Sequence, residues 1–428
     1  MTIEVGFSKR DITPAIGSVI PGGFSPRPST DILDPLQTTA CVIRCKKHTL
    51  AVIGIDVVSL SCATADRMRM IVAASVGISE QNIIVAASHT HGGGPSIDVL
   101  GSEADAAYLD RCVKLVNEAV AEAYKKLQPA TCAQTTGDID GWSFNRRFTM
   151  RDGSEATQPA IGDPRIVAPA GPVDPELGVI AFRTRDGVLL GAIASFACHP
   201  TVIWGDTFTG DFPAYWRASL REKTHPEFEL VFLNGACGDI GPTNFADSTV
   251  HEGGVKKARK MGEALANKTV SLMESADYTD SVELTTMHGS VRVAYRHPTD
   301  AQLHAARALV ADESPWGREK WQARDVILLA EKLGNAQDVV CRVDIFGIGP
   351  AIIAAAPWQP FCEFGLKIKT GTPDRPVLLA TFANGMLGYV PTPAAFRGGG
   401  YEPTLCRGSK LTPDAGEKIV GEFLRLLA

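Results

Sequence analysis

The sequence predicts an α/β protein with mixed β-sheets in the centre, helices flanking them and a site at the strand ends. Three observations carry this. Short apolar runs of strand length alternate with longer stretches whose apolar residues recur at helical spacing. Two of those runs lead into a histidine, at His89 and at His199. A third, ending at Leu233, opens into the glycine-rich turn Asn234-Gly235-Ala236-Cys237-Gly238-Asp239. Ligands of open α/β sheets collect at such carboxyl ends.

Taken in order, Ile3 to Asp11 reads as a first strand, stopped by Thr13-Pro14 and followed by an irregular Pro/Gly-rich loop through Pro28. Thr38 to Arg44 and Leu50 to Val58 read as antiparallel strands around the polar turn Lys46-Lys47-His48, which places His48 in solvent. Ala63 to Ala74 and Ala104 to Leu127 have helical spacing, with the buried strand Ile83 to Ala87 between them. Gly178 to Arg183 and Val188 to Cys198 form a hairpin around Arg185-Asp186-Gly187. Gly210-Asp211-Phe212-Pro213 opens a helix, with Asp211 near its N-cap.

Glu229 to Leu233 is another buried strand. His251 to Glu274 and Asp300 to Leu333 are helical in pattern, and His288, His297 and His304 lie near them as structural or solvated rings. Val339 to Phe346, Ala351 to Ala355 and Val377 to Phe382 read as strands, and Pro413 to Leu427 as a closing amphipathic helix. No repeat and no break in composition marks a boundary, so residues 1–428 are expected to form one domain.

Composition narrows the function. The chain is 45% hydrophobic and 21% charged, an ordinary globular balance. With a net charge of −6 and no basic stripe, nucleic acid and anionic membrane are poor partners; a small-molecule substrate is expected. No run approaches the roughly 20 apolar residues of a membrane span, and the first residues lack a basic and apolar secretory pattern. The ten cysteines include no Cys-x-x-Cys pair, and several sit inside apolar runs. Together these features predict a reduced, cytoplasmic protein.

The chemistry concentrates in Ser88-His89-Thr90-His91-Gly92-Gly93-Gly94-Pro95. Imidazoles two residues apart share one side of an extended chain, and a glycine run permits close backbone approach to what they hold. They are either hydrogen-bonded histidines at a strand end or part of a metal site, which needs further ligands from elsewhere. Asp56, inside an apolar run, either orients a metal-bound imidazole or caps a turn. The polar stretch 136–175 is long for a plain connection and reads as a functional lid or a site wall. It carries Asn145-Arg146-Arg147, whose guanidinium groups are either solvated or bind an anion or carbonyl.

The ordered set of short motifs resembles the zinc-dependent catalytic domain of the neutral/alkaline (non-lysosomal) ceramidases. It comprises Val5-Gly6 with Asp11-Ile12-Thr13, His89-Thr90-His91-Gly92-Gly93-Gly94-Pro95, Asn145-Arg146 and Val173-Asp174-Pro175-Glu176. It continues with His199, Gly210-Asp211-Phe212-Pro213, Gly238-Asp239-Ile240, and Tyr389-Val390 followed by Tyr401-Glu402. The resemblance implies Zn2+ as cofactor, with His89 and His199 as ligands and Tyr389 as an additional ligand. His91, Arg146 and Tyr401 would contact substrate or stabilise the transition state.

Three departures qualify it. The family's zinc-binding glutamate falls on Gln359, which takes that place in the expected ligand set unless Glu363, one helical turn on, replaces it. The serine that follows Gly-Asp-Ile is Gly241 here, so a serine nucleophile at that place is excluded. The ceramidases are also longer, secreted or membrane-associated, and carry a C-terminal β-domain.

The expectation is therefore a zinc hydrolase that cleaves an amide, ester or lactone with metal-activated water. Losing a carboxylate from the ligands favours an anionic substrate, so a small, polar, acidic molecule is expected rather than ceramide. A metal-dependent lyase or isomerase, and a non-catalytic small-molecule binder, are the alternatives.

Overall fold

Apolar alternation fills both faces of the central strands. In Gln37–Cys45, Cys41 and Ile43 face one way and Ala40 and Val42 the other, and all four are buried. A strand buried on both faces needs a layer on each side. The computed structural model, which describes residues 3–249 and 253–428, supplies both layers. His251, where a helix was expected to begin, lies outside the described residues.

The first sheet has eight strands: β1 (Ile3–Asp11), β2 (Gln37–Cys45), β3 (His48–Ile55), β4 (Ile83–Ala87), β5 (Gln128–Asp138), β6 (Glu176–Thr184), β7 (Leu189–Phe196) and β8 (Glu229–Asn234). Their order is β8-β7-β6-β5-β1-β2-β3-β4. The middle pairings are antiparallel, whereas β3·β4 at one edge and β7·β8 at the other are parallel. A second sheet runs β9 (Leu284–Ala294), β10 (Asp338–Ile348), β11 (Ala351–Ala355) and β12 (Val377–Ala380), again with a parallel pair, β11·β12, at its edge. Parallel pairs need crossovers, and these bring carboxyl ends together on one side.

The two sheets face each other through Ile43, Ile84, Ile180 and Ile193 from the first and Phe346, Ile353 and Leu378 from the second. Helices α1 (Cys62–Val76) and α2 (Ala106–Lys125) cover the outer face near Val42, Ile53 and Val85. Helices α3 (Phe212–Lys223) and α4 (Gly254–Ser275) cover Val179, Ala194 and Phe232. The second sheet's outer face takes α7 (Cys362–Thr370) and the C-terminal helix Ala415–Leu427. The result is helix, sheet, sheet, helix: the mixed α/β arrangement expected.

Asn234, at the end of β8, locks the strand ends. Its amide donates to Ser88 O (3.1 Å) after β4 and to Cys198 O (3.0 Å) after β7, while its own carbonyl accepts from the Thr381 N–H (2.9 Å) after β12. These bonds draw the ends of both sheets to one place.

Several details differ from the sequence reading. The helix expected over 300–333 is two, α5 (Asp300–Ala311) and α6 (Arg318–Leu333), separated by a segment containing Pro315 and Gly317. The strands β5 and β9 were not foreseen; their side chains alternate only weakly in burial. All ten cysteines are free thiols. Among the described residues no helix is long and apolar enough to cross a membrane.

Candidate metal and substrate site

Beyond β4 the chain turns at His89, whose φ of 69° lies in the left-handed region that a side chain adopts only under tertiary constraint. The constraint is visible. The His89 N–H donates to Val57 O (3.1 Å), its Nδ1 donates to Val58 O (2.6 Å), and its ring stacks on Phe382 at 4.0 Å. Beyond β7, His199 is anchored alike: its Nδ1 donates to Ile240 O at 2.8 Å. Each ring is therefore the tautomer with a bare Nε2, since Nδ1 carries the proton. Burial pushes the His89 imidazole down to about 3 and holds His199 well below its usual range, helped there by the Arg146 charge.

The two rings lie 4.8 Å apart, close enough to share one ion. Between them stands Gln359, fully buried beyond β11 and held by a short parallel pairing with Tyr389. Its carboxamide nitrogen is 3.1 Å from His89 Nε2 and 2.9 Å from His199 Nε2. Its Oε1 is buried without a hydrogen-bond partner. Glu363 lies apart from these rings: it is half-buried on the first turn of α7 and pairs with Lys367 at 3.0 Å.

His91 comes close from the same loop, its ring 5.0 Å from that of His89, and neither of its nitrogens has a partner. The ligand atoms of His89, His91 and His199 all lie within 4.8 Å of one another. Unpartnered buried polar atoms are rare and call for an explanation. Three converging imidazoles and an orphaned amide oxygen form a donor set that could hold a metal ion.

The arginine pair is not solvated. Arg146 donates to Glu402 Oε1 (3.0 Å), Gly238 O (2.9 Å) and the Tyr389 hydroxyl (3.0 Å). Arg147 pairs with Glu402 Oε2 (2.6 Å) and with Glu155. A single fully buried carboxylate, Glu402, thus holds two guanidinium groups, and burial without it would be prohibitive. Tyr401 lies edge-on to Tyr389 at 5.7 Å and, with His89, His91 and Gln359, lines the cavity beside the histidines. Sequence reasoning saw Glu402 only as part of a motif.

Two further expectations are corrected. Asp56 neither orients an imidazole nor caps a turn alone. It forms a two-pronged ion pair with Arg217 of α3 (2.5 and 3.2 Å) and accepts the Gln37 N–H, so backbone carbonyls orient the rings instead. The glycines after the histidines approach protein rather than ligand: a Cβ at Gly94 would sit 2.4 Å from the Tyr108 ring, and one at Gly92 would strike Thr209. At Gly241, by contrast, a Cβ would meet Arg146 carbons at an ordinary 3.8 Å, so no steric reason keeps a serine out.

The cavity measures 360 Å³, and its walls include Ile97, Val99, Leu100, Leu329 and Met386. The sequence reading expected a small, polar, acidic substrate, for which such walls are not required. An aliphatic wall of this kind suits an apolar chain.

Fold and site together define an α/β protein with a buried three-histidine cluster able to hold a metal ion. In sequence the chain is 28% identical to the neutral ceramidase of Pseudomonas aeruginosa over 179 residues, which is 38% of this chain and 24% of that protein. The crystal structure of that organism's neutral ceramidase superposes on all of this chain and 74% of its own, with a TM-score of 0.78 and 18% identity. A ceramidase complexed with C2 gives 0.77, 17% identity and 75% of its chain. No family model matches. The chain has the fold of the neutral ceramidases, and the resemblance read from its motifs is borne out.

Proposed function

We propose that this protein is a metal-dependent hydrolase of an amide or a related ester or lactone. The observation that carries the reading is the convergence of bare Nε2 atoms of His89 and His199 on Gln359, each ring locked through Nδ1 to a backbone carbonyl. In this reading His89, His199, Gln359 and Tyr389 would hold a zinc ion. When bound, it supplies a Lewis acid that polarises a carbonyl and makes water a nucleophile near neutral pH.

The chain's own groups supply the rest. His91, with both ring nitrogens free, takes the proton of the attacking water and passes it to the leaving group. Its burial keeps it neutral, the form a base needs. The Tyr401 hydroxyl donates to the developing oxyanion, and burial keeps that phenol protonated. Arg146, committed to Glu402 and Gly238 O, acts through Tyr389, whose oxygen it holds in place. A ceramide-like lipid amide, the substrate class named for the relatives, is compatible with the aliphatic walls of the cavity.

One observation favours a second reading, a non-catalytic binder: the Gln359 amide satisfies both imidazoles without a cation. Metal content, with turnover on a panel of amides, esters and lactones, separates the two. A protein that retains zinc and hydrolyses one class supports the hydrolase. Absence of both overturns it.

A further inference from the structure

The cavity beside the histidines has one lysine with no carboxylate bonded to it among the described residues. Lys410 is enclosed in its wall and donates to the backbone carbonyls of Leu387 (2.5 Å) and Arg407 (2.9 Å). An ammonium has three donors, so one remains. Among the described residues no carboxylate pairs with it. Asp325, the acid nearest in kind, is fully buried and spent on Arg407, whose Nε lies at 2.5 Å and whose N–H lies at 2.7 Å. Lys332 faces the same cavity from an exposed position with Asp98 3.9 Å away. Cys62 and Cys406 also line the space, but burial raises both thiols and keeps them neutral.

A cation drawn partly out of water without an ion-pair partner is costly, and desolvation pushes the half-buried Lys410 down to about 8. The aliphatic part of the wall, Val99, Leu100, Leu329 and Met386, cannot solvate it. Two carbonyl dipoles hold the ammonium in position without cancelling its charge, as a site prepared for an anion requires.

We propose that Lys410 recognises a carboxylate on the substrate, so that the preferred ligand is an amide whose aliphatic chain ends in a negatively charged group. This rests on the hydrolase reading for the word amide, but the binding claim stands apart from turnover. The anion would meet the ammonium against largely apolar walls, where a charge-assisted hydrogen bond is stronger than in bulk water.

The test is calorimetric binding of adipamate and hexanamide, which share an amide and differ in a terminal carboxylate, to the wild type and to Lys410→Met and Lys410→Arg. The wild type should bind adipamate about 10- to 100-fold more tightly than hexanamide. Lys410→Met should erase that preference while leaving hexanamide within about twofold, and Lys410→Arg should keep it. A merely structural lysine would weaken both ligands together. Equal affinity in the wild type overturns the proposal even if Lys410→Met does not fold, and so does a preference that survives in Lys410→Met. A preference without hydrolysis of either amide overturns only the hydrolase reading.

Discussion

The carboxamide nitrogen of Gln359 lies 2.9 Å from Nε2 of His199, and because Nδ1 of that ring donates to Ile240 O, the amide is the donor. Its second hydrogen serves His89 in the same way at 3.1 Å. One neutral amide therefore closes the site between two neutral rings. A cation entering there must turn the amide so that Oε1 faces it, and the resulting donors carry no formal charge.

Gln359→Glu should therefore bind zinc more tightly, by about 10-fold or more, because a carboxylate adds negative charge to the ligands. The same charge makes the activated water less acidic and should move the pH–rate profile to higher pH. Competition with a chelator dye reads the first effect and steady-state kinetics the second. Unchanged zinc affinity would make Gln359 a bystander. Glu363→Gln, on the surface beside Lys367, should change neither.

His89→Ala and His199→Ala should each lose bound metal and activity together. His91→Ala should retain metal and lose turnover, because its two unpartnered nitrogens are assigned to proton transfer. Metal content by mass spectrometry decides. If His91→Ala loses metal as readily as the others, His91 belongs to the ligands.

Glu402→Gln should destabilise the fold by about 3–5 kcal/mol, since it leaves two buried guanidinium groups facing a neutral amide. Urea unfolding of the variant measures this. A loss below about 1 kcal/mol would show that Glu155 and the neighbouring carbonyls suffice for both arginines.

Stability should fall as pH rises through neutrality at one buried acid. Burial lifts the Asp211 carboxyl to about 7 from an ordinary 3.8, and the nearby Asp34 adds to the effect, while the Ile203 and Phe212 N–H groups oppose it. The native state then holds a proton that the unfolded chain releases near pH 4. That contribution is fully present below about pH 4 and is lost as pH rises past about 7. Urea midpoints at pH 5 and pH 8 should show the decline, and Asp211→Asn should flatten it. An equal decline in Asp211→Asn would place the titrating group elsewhere.

The strands that were read correctly are those with dense β-branched runs, such as Ile83–Ala87 and Ala351–Ala355, buried on both faces. Those that escaped, Gln128–Asp138 and Leu284–Ala294, are half-exposed and mix polar residues into both faces, so no period of two stands out. The helix break at Pro315 was legible in principle, since proline and glycine interrupt a helical pattern there. The arginine pair was not. Whether Arg146 and Arg147 meet water or Glu402 depends on a carboxylate more than 250 positions away.

The amino-acid order by itself determined which strands carry histidines at their ends and that Asp211 would head a helix; that Gln359 and Gly241 stand in place of a carboxylate and a serine is implied only by the resemblance of its motifs to the ceramidases. These are local matters of side-chain chemistry, spacing and backbone preference. Tertiary structure alone decided that His89, beyond one edge strand, and His199, beyond the strand next to the opposite edge, meet at 4.8 Å, and that each points a bare Nε2 inward. It also put Asp56 on Arg217 rather than behind an imidazole, and placed Lys410 in the wall of a largely apolar cavity. The reason is physical: strand order and crossovers set which distant groups become neighbours, and burial then makes each neighbour's charge and hydrogen bonds count.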